Sequence, residues 1–595
     1  MQPHAERLFE VSWEVCNKVG GIYRVLESKA AQIVKYYGQS YVLIGPYFPD
    51  KAKGEFRKGN APAEFKEAFR ALEKEGISCR YGNWLVEGEP QVILIDNKKF
   101  FSNADKIKTE MWEKFKIDSL EAAFDYTEPV VWSWAAGKVI EKLAASLKGK
   151  TVAQFHEWLA GAGLLYLKAN AKKIGTVFTT HATTLGRTLA NSNVPLYDVL
   201  NSIEPEKEAY VHHVQAKHQL EKCSANKSDV FTTVSEVTAM EAEKLLGRKV
   251  DVVLPNGLDL GEFPTFEELE VKHKIHNERM KEFAISYFFP YYTFDIQKTL
   301  FFFMSSRYEF RNKGMDIYIK ALGLLNDRLK TSNSDKTVVA YFWVPADAKA
   351  IRQDIIDNRE HCIDIKDVLA EVSEDITEEV FYAVAAGQSP AVGDLMNEDL
   401  KRELEKKLLS FRREGTPPLV THELVNTDDI IVKSFQEAGL LNRDTDRVKV
   451  IFYPVFLSGA DGLLNLDFYE AIQGSHLGIF PSFYEPWGYT PLETAALGVG
   501  SVTTDVSGLG KFFMTSGLPA KKWDSPQGVF VLQRMGQEER QTVFDLANLM
   551  HSVANFSRQE LSENEIQAHR LAALADWSLL IKYYIEAHNR ALGNQ

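Results

Sequence analysis

Only four cysteines occur in the 595 residues, Cys16, Cys79, Cys223 and Cys362. With no CxxC pair among them they exclude a disulfide framework and read as the reduced thiols of a cytoplasmic protein. No apolar run approaches membrane-spanning length. The start of the chain passes almost directly into L-F-E-V-S-W-E-V, without a basic and then apolar leader, so neither a membrane nor a secretory route is expected. Positive charge is not in excess either: 69 Lys and Arg stand against 82 Asp and Glu, a net charge of −13. Without a concentrated basic face, general binding to nucleic acid or to acidic membranes is excluded, and any anion must be held locally. The absence of Gly/Ser/Pro-biased tracts and of a fixed-period repeat removes disorder and solenoid architectures.

What is present is an ordinary globular composition, 45% hydrophobic and 25% charged, in a chain too long for one core at about 100–200 residues per domain. Short apolar, β-branched runs alternate with helical stretches: Y-V-L-I-G-P (41–46), Q-V-I-L-I-D (91–96), T-V-A-Q-F-H (151–156), G-T-V-F-T-T-H (175–181), D-V-F-T-T-V-S (229–235) and D-V-V-L-P-N (251–256). The series resumes at 299–304, 337–344, 448–454, 475–481 and 501–506. This pattern predicts two doubly wound α/β domains, 1–270 and 271–595, facing across a cleft. The expectation allows for a C-terminal helix that crosses back. The stretch from Phe266 to Phe294 reads as a hinge region whose aromatics pack at the junction or at a subunit contact. A polar, helical insertion is expected at about 346–415, with an oligomer contact as one use for it.

In such folds ligands gather at the carboxyl ends of the strands. Gly20 and Gly21, in N-K-V-G-G-I-Y, would let backbone amides approach a ligand, with Lys18 beside them, although a tight turn explains the pair equally well. Arg307, Arg311 and Lys313 precede an apparent helix, where cations oppose the macrodipole unless an anion such as a diphosphate sits there; a solvated basic turn is the competing reading. In P-S-F-Y-E-P-W-G-Y-T-P-L-E (481–493), Thr490, Pro491 and Glu493 form a capping box: hydroxyl N-cap, proline at N1, glutamate at N3. Glu485 has no such structural explanation beside Trp487 and Gly488. The histidines at 156, 181, 212, 213 and 218 lack metal-ligand spacing, so no metal or other cofactor is expected.

These segments resemble, nearly end to end, the eukaryotic-type glycogen synthases, retaining transferases with the two-Rossmann GT-B architecture. The matches are K-V-G-G-I-Y, H-E-W-L-A-G, F-T-T-H-A-T-x-L-G-R, P-N-G-L, R-Y-E-F-R-N-K-G, H-L-G-I-F-P-S-F-Y-E-P-W-G-Y-T-P-x-E and S-V-T-T-x-V-S-G, in order. The resemblance implies UDP-glucose as donor and the non-reducing 4-OH of an α-1,4-glucan (glycogen) as acceptor. By the same match Glu485 holds hydroxyls of the transferred glucose and Glu493 approaches the ribose. Arg307 and Lys313 bind the leaving diphosphate, joined by Arg187, and His181 stands beside the reacting sugar. Phe468 takes the place of a uracil-stacking aromatic, while Gly20, Gly21, Lys18, Trp487, Gly488, Tyr489 and Thr490 line the nucleotide-sugar site.

One departure is functional. The family's arginine-rich, glucose 6-phosphate-sensing helix corresponds here to S-R-Q-E-L-S-E-N-E-I-Q-A-H-R-L (557–571), where Ser562, Glu563 and Glu565 stand among few basic residues. Activation by glucose 6-phosphate is therefore not expected, and with no long tails at either end a constitutive enzyme is. The shared fold alone leaves open another glucosyltransferase, using ADP-glucose or forming a disaccharide, and a glucan-binding scaffold without catalysis.

Overall fold

A computed structural model describes residues 2–171, 173–389, 391–518 and 523–593. The N-terminal half builds a nine-stranded sheet from β1 (Arg7–Val11), β2 (Tyr41–Pro46), β3 (Phe56–Lys58), β4 (Ser78–Trp84), β5 (Gln91–Asp96), β6 (Thr151–His156), β7 (Gly175–Thr180), β8 (Val230–Thr233) and β9 (Val252–Val253). Its order is β3-β4-β5-β2-β1-β6-β7-β8-β9. The stretch from β5 to β9 is parallel, and β3 and β4 add an antiparallel edge. The central strands are buried on both faces, which is why they read as continuous apolar runs. The antiparallel edge carries polar, half-buried residues and gave no such signal.

The second half forms a six-stranded, wholly parallel sheet. Its strands are β10 (Thr299–Ser305), β11 (Thr337–Trp343), β14 (Val448–Tyr453), β15 (Leu477–Ile479), β16 (Gly500–Thr504) and β17 (Val529–Leu532), in the order β14-β11-β10-β15-β16-β17. The insertion is helical, with helices Gln353–Glu371, Ser373–Ala385 and Glu398–Phe411. It is closed at its root by an antiparallel pair that the sequence reading did not foresee, β12 (Ala348–Ile351) with β13 (His422–Leu424). The stretch expected as a hinge region is mostly one long helix, Phe266–Phe288, opened by a Thr265/Glu268 capping box. Its aromatic end is core: the ring of Phe283 lies 6.3 Å from that of Tyr341 and 6.4 Å from that of Tyr453, both in the second sheet.

The last helix, Trp577–Gly593, leaves the second domain and packs on β7, β8 and helix Gly21–Tyr37 of the first. Trp577 and Tyr584 are fully buried there, and the Trp577 indole donates to Ser28 Oγ at 2.8 Å. Burying two large aromatics stabilises this crossing by several kcal/mol at about 25 cal/mol per Å².

Candidate functional site

The carboxyl ends of β1, β6, β7, β10 and β15 converge on a cleft of about 570 Å³ between the two sheets. Its walls include Gly20, Gly21, His181, Arg187, Arg307, Lys313, Glu485, Trp487, Gly488, Tyr489 and Thr490. Residues from distant parts of the chain thus share one cavity. Lys18, Phe468 and Glu493 are not among the lining residues. Lys18 is exposed, with its ammonium 5.5 Å from the Tyr23 ring centroid, and Phe468 is half-buried at the start of helix Phe468–Gln473.

The 481–493 segment is held by its neighbours' backbones. Phe483 N–H donates to Asn312 carbonyl at 2.8 Å, Gly508 N–H to Glu485 carbonyl at 3.0 Å and Leu509 N–H to Trp487 carbonyl at 2.8 Å. Gly314 has φ 72°, and a Cβ there would stand 2.1 Å from the Pro481 carbonyl oxygen, so only glycine lets the cation loop cross this segment. The crossing sets Lys313 Nζ 2.6 Å from Glu485 Oε2. Glu485 therefore does have a structural partner. Arg307 points outward with 77% of its side chain exposed and pairs with Glu309 at 3.0 Å. Arg311 turns away from the cleft, toward a separate concavity that it lines with Asp316 and Glu539.

The expected capping box at Thr490 is not formed. Helix Tyr489–Ala496 begins two residues earlier, from Gly488 at φ 114°, and has no side-chain cap. Gly488 can adopt that backbone and Thr490 cannot do so cheaply, so the glycine decides where the helix starts. Glu493 is thereby released from capping. It accepts from Tyr469 hydroxyl at 2.9 Å and lies 4.0 Å from Arg24 Nε of the first domain, and burial raises its pKa. The indole N–H of Trp487 and the hydroxyl of Tyr489 are buried without a hydrogen-bond partner. Unsatisfied donors in a cleft wall are costly unless something fills the cleft.

On the first-domain side, Glu14 accepts from the N–H groups of Gly20 and Tyr23, both at 2.8 Å, and so caps helix Gly21–Tyr37. Glu157 has φ 64°, a strained conformation for a non-glycine residue, and accepts from His181 and Ala182 N–H at 2.8 and 3.1 Å. Burial raises the pKa of both carboxyls, and the charge of Arg187 opposes that rise. Sequence reasoning did not single out Glu14 or Glu157, although Glu157 lies in the H-E-W-L-A-G segment that carries the resemblance. It also missed a buried chain behind the site. His181 Nε2 lies 2.9 Å from His156 Nδ1, and His156 Nε2 lies 2.8 Å from Glu10 Oε1. Glu10 is in turn bonded to Lys29 and Tyr41. The available signal was an acid in a strand buried on both faces, which demands partners.

The two domains touch around this cavity. Tyr484 hydroxyl donates to Glu241 at 3.1 Å, and Asn312 Nδ2 to Asn191 Oδ1 at 2.5 Å. Burial pushes the Glu241 carboxyl up to about 7. Among the described residues no group of three or more His, Cys, Asp or Glu is arranged to hold a metal ion, and no helix is long and apolar enough to cross a membrane.

Residues 10–595 match the family model described as glycogen synthase. The chain is 35% identical over 588 residues to the liver glycogen [starch] synthase of Homo sapiens, covering 98% of this chain and 83% of that protein. It is also 35% identical over 592 residues to the glycogen [starch] synthase of Neurospora crassa, with 98% and 83% covered. Among solved structures it resembles the catalytic domain of starch synthase IV from Arabidopsis thaliana bound to ADP and acarbose, with TM-score 0.52 and 13% identity over 99% of this chain and 100% of that one. That likeness is one of fold, the GT-B arrangement of two parallel-sheet domains.

Proposed function

This chain belongs to the glycogen synthase family, and from that premise we propose that it transfers glucose from UDP-glucose to the non-reducing 4-OH of an α-1,4-glucan, with retention of configuration. A nucleotide sugar and a glucan are the substrates of such a glucan-synthesising transferase. The observation that carries the finer reading is the union of Arg187, Arg307, Lys313 and Glu485 in one cleft. Breaking the glucosyl–phosphate bond builds negative charge on the diphosphate, and preorganised cations are the main device for stabilising it. In our reading Arg307 and Lys313 exchange Glu309 and Glu485 for the diphosphate, and Arg187 joins them from the first domain. Glu485 then holds glucose hydroxyls with His181 nearby. Glu493 and Phe468 serve the nucleoside, and the glycine turns at 20–21 and 488 bring amides close. Lys18 approaches the same ligand only if its side chain swings inward.

Retention without an assigned nucleophile fits front-face transfer, in which the leaving phosphate helps take the acceptor proton. The reaction as proposed requires no metal. Activation by glucose 6-phosphate is not part of the reading, since Glu563 and Glu565 occupy the helix where the family carries arginines. The inserted arm exposes Phe381, Tyr382, Val384 and Leu409, each more than 60% accessible, which supports a homo-oligomer contact there.

UDP release from UDP-glucose in the presence of glycogen, with ADP-glucose as competitor, tests the donor. Proton NMR of the product tests retention. Release that is faster from ADP-glucose, or a β-linked product, overturns the respective part.

A further inference from the structure

The buried chain behind His181 has a direction. Glu10 sits with its carboxylate between the Lys29 ammonium, the Tyr41 hydroxyl and His156 Nε2, all fully buried. Burial alone would raise its pKa, but Lys29 and His156 hold it well below the usual carboxylate range. As an anion it can only accept, so the Nε2 of His156 carries a proton and donates it. The Nδ1 of a neutral His156 is then a bare lone pair, and the group 2.9 Å from it, His181 Nε2, must be the donor. His181 is left with its proton on Nε2 and a lone pair on Nδ1.

The charged and titratable groups around His181 are His156, Glu10 and Lys29 on the sheet side and Arg187 on helix Thr184–Asn191. Glu157 fixes the His181 main chain through its N–H. Burial and the cations push the pKa of His181 down, which keeps the imidazole neutral. The back of the chain is sealed by the last helix, whose Tyr584 ring lies 4.0 Å from Lys29 Nζ.

We propose that Glu10 and His156 are positioning residues that lock His181 as the Nε2–H tautomer, so that it presents Nδ1 as a hydrogen-bond acceptor to a hydroxyl of the sugar bound in the cleft. This rests on the transferase reading for the identity of the sugar, but the tautomer does not. Of Glu10, His156 and His181, only His181 lines the cleft.

The wild-type protein tests the first half directly. With ¹⁵N-labelled histidine, and His181→Gln to assign the resonance, the His181 ring should carry its proton on Nε2 from pH 6 to 8. A proton on Nδ1 overturns the proposal whatever the enzyme does. The second test replaces the acceptor-only anion with a group that can donate while keeping the buried charge balanced: Glu10→Gln together with Lys29→Met. The amide can donate to His156 Nε2 and so reverse the chain, putting the His181 proton on Nδ1.

The expected result is a kcat lower by roughly ten- to a hundredfold, the effect of losing one substrate hydrogen bond. The donor KM should stay within about twofold, with the NMR tautomer reversed. A reversed tautomer with unchanged kcat overturns the functional half. If that variant fails to fold, Tyr41→Phe, which leaves the carboxylate in place, must keep the wild-type tautomer and near wild-type kcat. A lost tautomer in that variant overturns the assignment of direction to Glu10. Absence of transfer by the wild type, with the Nε2–H tautomer present, would sink the transferase reading and not the relay.

Discussion

Lys313 Nζ lies 2.6 Å from Glu485 Oε2, so the cation proposed for the leaving group and the carboxylate proposed for the sugar neutralise one another in the cleft. Each is mostly shielded, 14% and 23% exposed, so breaking the pair leaves the other charge poorly solvated. The pair gives the two substitutions different signatures. Glu485→Gln removes the competitor for Lys313, and UDP alone should bind as tightly as to wild type or tighter. The kcat should fall by about 10²-fold as sugar positioning is lost. Lys313→Ala should weaken UDP binding and lower kcat by about 10²–10³-fold. Calorimetric titration with UDP beside steady-state rates checks both, and parallel losses of UDP affinity in the two variants would contradict the exchange.

Glu493 makes no cap, so its replacement should leave stability nearly untouched. Glu493→Gln keeps an oxygen for the Tyr469 hydroxyl, and the thermal midpoint should shift by no more than about 2 °C, the scale of well under 1 kcal/mol in a large domain. The KM for UDP-glucose should rise by roughly tenfold if the carboxylate holds ribose hydroxyls. A large fall in midpoint with unchanged KM would return Glu493 to a structural role.

Gly314→Ala should damage both stability and catalysis. The left-handed backbone alone costs about 1–3 kcal/mol for a residue with a Cβ. The 2.1 Å approach to the Pro481 carbonyl must also be relieved. Relief moves the cation loop away from 481–493, and kcat should fall even at temperatures where the variant is folded. Circular dichroism melting together with rates at 20 °C separates the two effects.

His588 is buried against Tyr37 and Gln154, at 3.0 and 2.9 Å, and burial pushes its pKa down to about 3. The folded protein holds this imidazole neutral, whereas the unfolded chain protonates it from about pH 6.5 downward. The unfolded state therefore binds the extra proton, and stability is lost as pH falls below about 6.5. The buried Glu241 carboxyl, raised to about 7, works in the opposite sense over the same range. His588→Gln should accordingly lower the thermal midpoint at pH 7 yet flatten its decline between pH 6.5 and 5. An identical decline in wild type and variant would show that this histidine is not held neutral.

The parallel strands were legible because burial on both faces writes itself as an uninterrupted apolar run, as in Tyr41–Pro46 and Thr151–His156. Gly20, Gly21, Gly488 and the cations Arg307 and Lys313 were legible as a ligand-binding concentration at strand ends. The capping box at Thr490 was misread because a positive-φ glycine two residues upstream outcompetes a local hydroxyl, and Gly488 gave no sign in sequence of its φ. The aromatics of 266–294 were legible as packing at the junction, but that they close on Tyr341 and Tyr453 of the second sheet was not, since those partners lie far along the chain. Glu14 and Glu157 were passed over because nothing local reports whether an acid beyond a strand end is solvated or buried, and Glu10 because the burial of its strand was not followed to the partners an acid there demands.

By itself, then, the sequence determined the class of fold, the two-domain arrangement of parallel strands and the motifs that tie the chain to its family, since each depends on local pattern and on residue type at short spacing. Only the tertiary structure decided the partners: Lys313 with Glu485 across 172 residues, His156 with Glu10 across 146, and Tyr484 with Glu241 across 243. Hydrogen bonds and ion pairs are satisfied by proximity in space, and that proximity follows from how two sheets pack, a collective property that no single segment encodes.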